Sequence, residues 1–103
     1  MTEVRISRRA LRHIDAADSW WRENRPLHPS LFRDELLTSF RRIAKHATVF
    51  RVLDEPRFPG LRRLLLNRTR YHVYWVVEDD IVEVLAVWHT SRGADPLDDE
   101  EGS

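Results

Sequence analysis

The residues of this chain best suited to chemistry are one histidine and several arginines within an apolar C-terminal block. His89 is the candidate acid or base, because an unperturbed imidazole titrates closer to neutrality than other side chains. Arg62, Arg63 and Arg70 precede it, and a planar guanidinium suits phosphate or carboxylate oxygens. These four are the candidate catalytic residues for a reaction at an anionic group. The competing interpretation of His89 is a structural histidine that caps a backbone carbonyl at a strand end.

A wider set of cations predicts a binding surface. Five arginines fall within 14 residues that contain no acid, and another arginine follows His89 in a Ser-Arg-Gly turn. We expect the target- or partner-binding residues to be Arg57, Arg62, Arg63, Arg68, Arg70, His89 and Arg92. The alternative is a solvated edge with one structural salt bridge. The charge alone does not distinguish an acidic peptide from a nucleic acid, because both offer anions to arginine.

The composition describes one ordinary domain with a basic body and an acidic end. The 103 residues are 42% apolar and 33% charged, and 16 of the 17 basic side chains are arginine, with Lys45 as the lysine. Residues 1–94 hold all 17 basic side chains but 12 of the 17 acidic ones, which leaves a net charge of +5. Without cysteine there is neither a disulfide nor thiolate chemistry. The histidine spacing predicts no metal site, and we expect no cofactor.

The start of the chain lacks an apolar signal region, and no apolar run approaches the roughly 18 residues of a membrane span. A cytoplasmic protein is therefore expected.

Three strands are predicted in the C-terminal block, at residues 61–66, 71–78 and 81–89. They are rich in Val, Leu, Ile, Tyr and Trp, and the polar links between them are short enough for hairpins. In the last two strands both alternating sets of positions are largely apolar. This pattern indicates central strands that are covered on both faces. Arg62 and Arg63 must then point to opposite faces of the first of these strands.

The N-terminal half predicts one short strand and two helices. Residues 2–6 alternate as a strand, Ser7 is a plausible N-cap, and apolar residues at helical spacing (Leu11, Ile14 and Trp21) predict a helix that ends before Pro26. A second helix should run from residue 29 or 30 to residue 45 or 46, before a loop over residues 49–59. The predicted class is α+β, with the order β-α-α-β-β-β and a helical hairpin packed on a small, mainly antiparallel sheet.

Two parts of the chain are distinguished by composition. Residues 1–93 are predicted to form the single domain, and residues 94–103 an acidic tail without aromatic residues that is expected to be disordered. A rival hypothesis is that the tail lies across the basic body and weakens the binding of other anions.

Several motifs together resemble the RelE/ParE family of bacterial toxins from type II toxin–antitoxin modules. The likeness spans Val4 to Arg92 and is closer to the ParE side than to the RelE side. It rests on an early strand followed by a helical hairpin and on four motifs: Phe32-x-x-Glu35-Leu36, Phe58-Pro59-Gly60-Leu61-Arg62-Arg63, Tyr71-His72-Val73-Tyr74, and Val84-Leu85-Ala86-Val87-Trp88-His89-x-x-Arg92.

The resemblance implies a small toxin that a cognate antitoxin protein holds inactive in a hetero-oligomer. Members on the ParE side are associated with inhibition of DNA gyrase, whereas members on the RelE side cleave messenger RNA on the ribosome. Operator DNA would be reached only through the antitoxin, and no membrane partner is implied. A third alternative is a non-toxic member that only binds its antitoxin.

Two departures from the nuclease pattern favour the ParE-like alternative. Some nuclease members place a tyrosine after the histidine at this position, whereas Thr90 follows His89 here. The lysine pair of other nuclease members is also missing, since Lys45 is the sole lysine. Gyrase inhibition by protein–protein contact, without chemistry, is therefore the leading hypothesis, and metal-independent RNA cleavage is the alternative. ParE-like members keep an arginine at the position of Arg92.

Overall fold

The computed structural model describes residues 2–98, which form two helices packed on a four-stranded sheet. The elements are β1 (Glu3–Ile6), α1 (Arg8–Asn24), α2 (Leu31–His46), β2 (Arg62–Leu65), β3 (Tyr71–Glu78) and β4 (Ile81–His89). The predicted α+β class and β-α-α-β-β-β order are confirmed. No helix within residues 2–98 combines the length and the apolar character needed to cross a membrane.

The sheet is mixed, and its two longest strands lie in the middle. The strand order is β1-β4-β3-β2, with β1 parallel to β4 and the other two pairs antiparallel. Asp79 and Asp80 join β3 to β4 and have φ angles of 51° and 64°. Two consecutive residues with positive φ match the twist of a tight hairpin, and aspartate tolerates this region better than most residues. The central position predicted for β3 and β4 is confirmed.

Ser7 connects the first strand, the first helix and the sheet. Its backbone N–H donates to the Val84 carbonyl at 3.0 Å. Its hydroxyl accepts from the Ala10 N–H at 3.1 Å and lies 3.2 Å from the Leu85 carbonyl oxygen, to which it donates. The predicted N-cap is thus present, and it also fixes the start of α1 beside β4.

Helix α1 buries small residues rather than the leucine that the periodicity favoured. Ala10 and Ala17 are buried, whereas Leu11 is 46% exposed, so the inward placement predicted for Leu11 is wrong. Ala10, one residue earlier, takes the buried position, whereas Ile14 and Trp21 pack against the core as the helical spacing predicts. Of the two adjacent tryptophans, Trp20 is 45% exposed and Trp21 packs against the core.

The main core lies between the helices and one face of the sheet. Phe32 and Leu36 of α2 are buried there, and the Phe32 ring lies 4.8 Å from that of Tyr71. Trp75, fully buried in the centre of β3, donates its indole N–H to the Ala47 carbonyl just after α2. Burial of such large aromatic side chains supplies much of the stabilisation of a small domain.

Glu35 attaches α2 to the loop between β2 and β3. Its carboxylate accepts hydrogen bonds from the Arg68 N–H at 2.7 Å, the Thr69 N–H at 2.9 Å and the Thr69 hydroxyl at 2.7 Å. Thr69 is only 1% exposed, so water cannot replace this partner. The glutamate of the Phe-x-x-Glu-Leu motif therefore holds the tip of the β2–β3 hairpin, while Phe32 and Leu36 enter the core.

Replacing Glu35→Ala should lower the free energy of unfolding by about 2–4 kcal/mol, since it removes three charge-assisted hydrogen bonds and leaves Thr69 unsatisfied. Urea unfolding followed by tryptophan fluorescence measures this change. Glu23→Ala, on the exposed side of α1, is the matched control and should change the stability by less than about 0.5 kcal/mol. Equal effects of the two substitutions would contradict the role assigned to Glu35.

His13 occupies the contact between α1 and β4. The Val87 N–H donates to its Nδ1 at 3.2 Å, and its ring lies 4.8 Å from the Trp88 ring. Burial, together with the positive charges of Arg9, Arg12 and Arg92, lowers the pKa of His13 from 6.5 to about 4. The folded protein thus favours neutral His13, which is the form that can accept the Val87 hydrogen bond.

The stability of the protein should therefore fall as the pH decreases from 6.5 towards 4. In this range unfolded His13 binds a proton and folded His13 does not, so acid favours the unfolded state. Because His13 is partly exposed, we expect a loss of about 1–2 kcal/mol, less than the full shift would give. The measurement is the free energy of unfolding at pH 7 and pH 4.5 in the wild type and in His13→Gln, which should lack this loss. His28→Gln, in the exposed loop between the helices, should keep it, and identical pH slopes in all three would contradict the assignment.

Candidate functional site

The sheet has one face turned away from both helices, and we call it the outer face. Its apolar cluster contains no helix residue: Leu61, Ala86 and Leu97 are buried, with Leu53, Phe58, Tyr74, Val76 and Leu85 packed around them. The register of β3 explains this division, since Tyr71, Val73 and Trp75 point to the helices and the alternate residues point away. β3 is therefore apolar on both faces, as its sequence predicts.

Arg62 and Arg63 lie on opposite faces of β2. Arg62 pairs with Trp75 on the helix side, and its Nε donates to the Phe50 carbonyl at 2.7 Å. Arg63 pairs with Tyr74 on the outer face and is exposed. Among residues 2–98, Arg63 makes no ion pair. The first arginine is used within the fold, and the second is available to a partner.

His89 also lies on the helix side, at the end of β4. Its ring makes an edge contact with Tyr71, with the centroids 5.0 Å apart. Its Nδ1 lies 2.8 Å from the Ser91 hydroxyl and accepts the Ser91 N–H at 3.1 Å. One ring nitrogen of His89 is thus engaged in the turn that follows the strand.

Arg92 lies at the edge where the outer face meets α1, over the Trp88 ring that also contacts His13. Its guanidinium carbon lies 3.9 Å from the centroid of the Trp88 ring, which is a close cation–π contact. The neighbouring Thr90 N–H donates to the Arg70 carbonyl at 2.9 Å, and this bond fixes the start of the turn to the beginning of β3. The side chain of Arg92 is exposed, so the stack presents its charge to the solvent.

A third histidine, His72, lies close enough to Arg63 and Arg70 for their charges to lower its pKa. His72 pairs with Trp88 and faces outward beside Tyr74, with the two rings 5.8 Å apart. Burial and the charges of Arg63 and Arg70 lower the pKa of His72. No role is predicted for His72 from the sequence. Its position beside Arg63 could have been inferred from the alternation in Tyr71-His72-Val73-Tyr74, because this alternation places His72 on the same face of the sheet as Arg63.

Arg57 is the most heavily paired cation of the outer face. Its guanidinium contacts Glu55 at 2.8 Å, Asp95 at 2.7 Å and Asp98 at 3.3 Å. The Leu97 N–H and the Arg57 guanidinium hold the pKa of the Asp95 carboxyl below its usual value. Arg57 therefore binds an acidic segment, and that segment belongs to the same chain.

Residues 94–98, here named the C-terminal segment, lie on the outer face. Leu97 is only 5% exposed and packs with Leu61 and Ala86. The prediction of a disordered tail rests on its acidic residues, whereas these contacts are made by the leucine among them. Residues 99–103 of the predicted tail lie outside the described residues.

The four candidate catalytic residues do not form one constellation. Arg62 and His89 lie on the helix side, whereas Arg63 and Arg70 act around His72 on the outer face. Of the wider set, Arg57 also belongs to the outer face, Arg92 lies at its edge, and Arg68 lies in the loop that Glu35 holds. Residues 2–98 contain no cluster of three or more His, Asp or Glu side chains that could hold a metal ion. The arrangement on the outer face is an arginine-rich, partly apolar surface rather than a catalytic constellation.

Comparisons with known proteins agree with this architecture. The model of the ParE toxin family, described as the ParE toxin of the type II toxin–antitoxin system parDE, matches residues 4–93. No curated protein matches the chain. A structure of the chromosomal ParDE toxin–antitoxin system from P. aeruginosa is similar, with a TM-score of 0.69, 18% identity and coverage of 86% of this chain and 96% of the other.

The isolated E. coli RelE toxin is also similar in fold, with a TM-score of 0.62, 18% identity and coverage of 90% of this chain and 88% of the other. At this identity the two structures show a common fold alone. The family model, in contrast, spans most of the sequence, including the β-α-α-β-β-β core and the turn that carries Arg92. The chain belongs to the ParE toxin family of type II toxin–antitoxin systems.

Proposed function

We propose that the protein is a ParE-like toxin that inhibits DNA gyrase by protein–protein contact and that a cognate antitoxin neutralises. The observation that carries this proposal is the division of the candidate catalytic residues between the two faces of the sheet. A metal-independent nuclease needs an acid, a base and cations around one phosphate. Here the apolar sheet separates His89 and Arg62 from Arg63 and Arg70. Membership of the ParE family supports the same conclusion.

The outer face has the features of a protein-binding surface. Arg63 and Arg92 are exposed beside Tyr74 and Trp88, and interfaces are enriched in arginine and aromatic residues. The Trp88 ring also restrains the Arg92 side chain, so less conformational entropy is lost when a partner binds it. Arg92 is therefore the residue that we assign to the target contact.

A second candidate function is cleavage of ribosome-bound messenger RNA. It is favoured by His72, because the lowered pKa keeps this imidazole neutral at pH 7, and a neutral imidazole can accept a proton beside Arg63 and Arg70. In this alternative His72, rather than His89, would be the base. The third alternative, a member that binds its antitoxin without toxicity, remains as the outcome in which neither activity is found.

Replacing Arg92→Ala should weaken inhibition of gyrase supercoiling by about 10-fold or more, as expected for an exposed arginine at the centre of an interface. The fold should persist, since an exposed cation–π contact contributes only about 0.5–1 kcal/mol. Arg25→Ala is the matched control, because Arg25 is also exposed and its guanidinium also stacks on tryptophan rings, those of Trp20 and Trp21 in α1. Equal loss of inhibition in both variants would contradict a specific role for Arg92.

The same purified protein should leave ribosome-bound messenger RNA intact. Cleavage that disappears in His72→Ala or in His89→Ala would overturn the gyrase proposal in favour of the nuclease. Inactivity in both assays, together with tight binding of the antitoxin, would identify a non-toxic family member.

A further inference from the structure

The outer face is an apolar surface that no helix covers. Its floor contains Leu61 and Ala86, which are 2% and 0% exposed, and residues 94–98 lie over this part of the sheet. Leu97 provides the apolar cover. Without it, the cluster around Tyr74 and Val76 would lose its central neighbour. An apolar sheet face that becomes exposed when its cover is removed is a typical site of protein association.

The segment over this face has a simple recognition pattern. Two aspartates flank the sequence Pro96-Leu97, and both carboxylates contact the Arg57 guanidinium, while the leucine enters the apolar cluster. The Asp95 side chain also accepts the Leu97 N–H at 2.9 Å, so it shapes the turn that aims the leucine at the sheet. The surface thus recognises one apolar side chain between two anions.

The contact between residues 94–98 and the outer face is weak enough for another segment to replace it. The Arg57 ion pairs are largely exposed, and such pairs contribute little to stability. Burial of one leucine stabilises the contact, but ordering several backbone residues costs a free energy of comparable size. A competing segment needs only slightly better contacts to replace residues 94–98.

The surface also extends beyond the C-terminal segment. A shallow pocket beside it is lined by Arg63, Tyr74 and Leu53 from the body and by Pro96 and Leu97 from the segment. Residues 94–98 leave the Arg63 guanidinium without an ion pair within the described part of the chain. A longer acidic peptide would reach Arg63 as well as Arg57.

We propose that the outer face is a receptor site for an acidic segment of a partner protein that carries a leucine between two carboxylates, and that residues 94–98 occupy this site until the partner displaces them. The chain's own segment demonstrates the fit. A nucleic acid would satisfy the arginines but would place no aliphatic side chain over Leu61 and Ala86. The protein partner is therefore the occupant that matches both the charge and the apolar floor.

This inference deepens the proposed function, and it rests on it in so far as the partner is the antitoxin. Its test involves neither gyrase nor ribosomes, so the two proposals fail separately. Peptide binding without gyrase inhibition would reject the proposed function alone. Gyrase inhibition without peptide binding would reject the receptor site alone.

The experiment measures fluorescence anisotropy of a labelled peptide with the sequence of residues 93–103 as it binds the full-length protein. In the wild type, the attached segment competes at an effective concentration in the mM range, so binding in trans should be weak. The full-length variant Asp95→Asn, Leu97→Ser, Asp98→Asn should bind the peptide at least about 10-fold more tightly. Peptide with the Leu97→Ser change should lose this binding.

Two controls separate the specific contact from charge and composition. The variant Glu100→Gln, Glu101→Gln removes two tail carboxylates outside the segment, and Leu27→Ser makes the same leucine replacement at an exposed loop position. Both should bind the peptide as weakly as the wild type. Equal peptide affinity of the triple variant and the wild type would overturn the proposal. Tighter binding of a single-stranded oligonucleotide than of the peptide would also overturn it.

A measurement on the wild type covers the case in which the triple variant does not fold. Unlabelled peptide at mM concentrations should shift the methyl NMR signals of Leu97 and Ala86, because it competes with the attached segment. Peptide with the Leu97→Ser change should not shift them. Unchanged Leu97 and Ala86 signals at these concentrations would refute the exchange.

Discussion

Strands β3 and β4 have apolar side chains on both faces, but the two helices within residues 2–98 cover only one of them. The helix side is closed by Phe32, Leu36 and Ile43, which bury Val73 and Trp75 completely. The outer face must be covered by something else, because exposed apolar surface is unfavourable in water. In this chain the cover is a five-residue segment anchored by one leucine and one arginine. The imbalance between two apolar faces and one helical layer accounts for the packing of Leu97 on the outer face.

The arginines follow the same division. On the helix side Arg62 completes the fold by donating to the Phe50 carbonyl, and it has a structural role. On the outer face Arg57 and Arg63 lie beside the apolar cluster, so charge and apolar surface lie together. A surface that combines arginine with apolar and aromatic side chains is typical of sites of protein association.

The sequence was sufficient for the features that depend on local periodicity. The bounds of β3 and β4 were predicted to the residue, the Ser7 cap was identified, and the opposite orientation of Arg62 and Arg63 follows from the two-residue repeat of a strand. The long-range contacts were missed. Composition alone presented residues 94–103 as a disordered acidic tail, because the contacts of Leu97 with Leu61 and Ala86 exist only in the folded sheet.

The wrong predictions concern contacts between elements that are distant in sequence. Leu11 appeared to be a core residue because leucine is apolar, whereas Ala10 and Ala17 are the buried residues of α1. His72 had no recognisable spacing, because its neighbours Arg63 and Arg70 come from the other strand of the hairpin and from the loop. The four candidate catalytic residues do not meet, because Arg62 and His89 lie on the helix side of the sheet and Arg63 and Arg70 lie near His72 on the outer face. Pairing across strands, rather than order along the chain, decides which side chains meet.

The parallel pairing of β1 with β4 has a consequence for the synthesis of the protein. Glu3 pairs with Ile81 and Ile6 with Val84, so the first strand made requires the last strand made. The Ser7 N–H likewise bonds to Val84, and the start of α1 is not fixed until β4 is present. Contacts between residues so distant in sequence slow folding, because a long loop must close before they form. The nascent chain therefore cannot complete its sheet, or present the outer face, until β4 has been made and has left the ribosome.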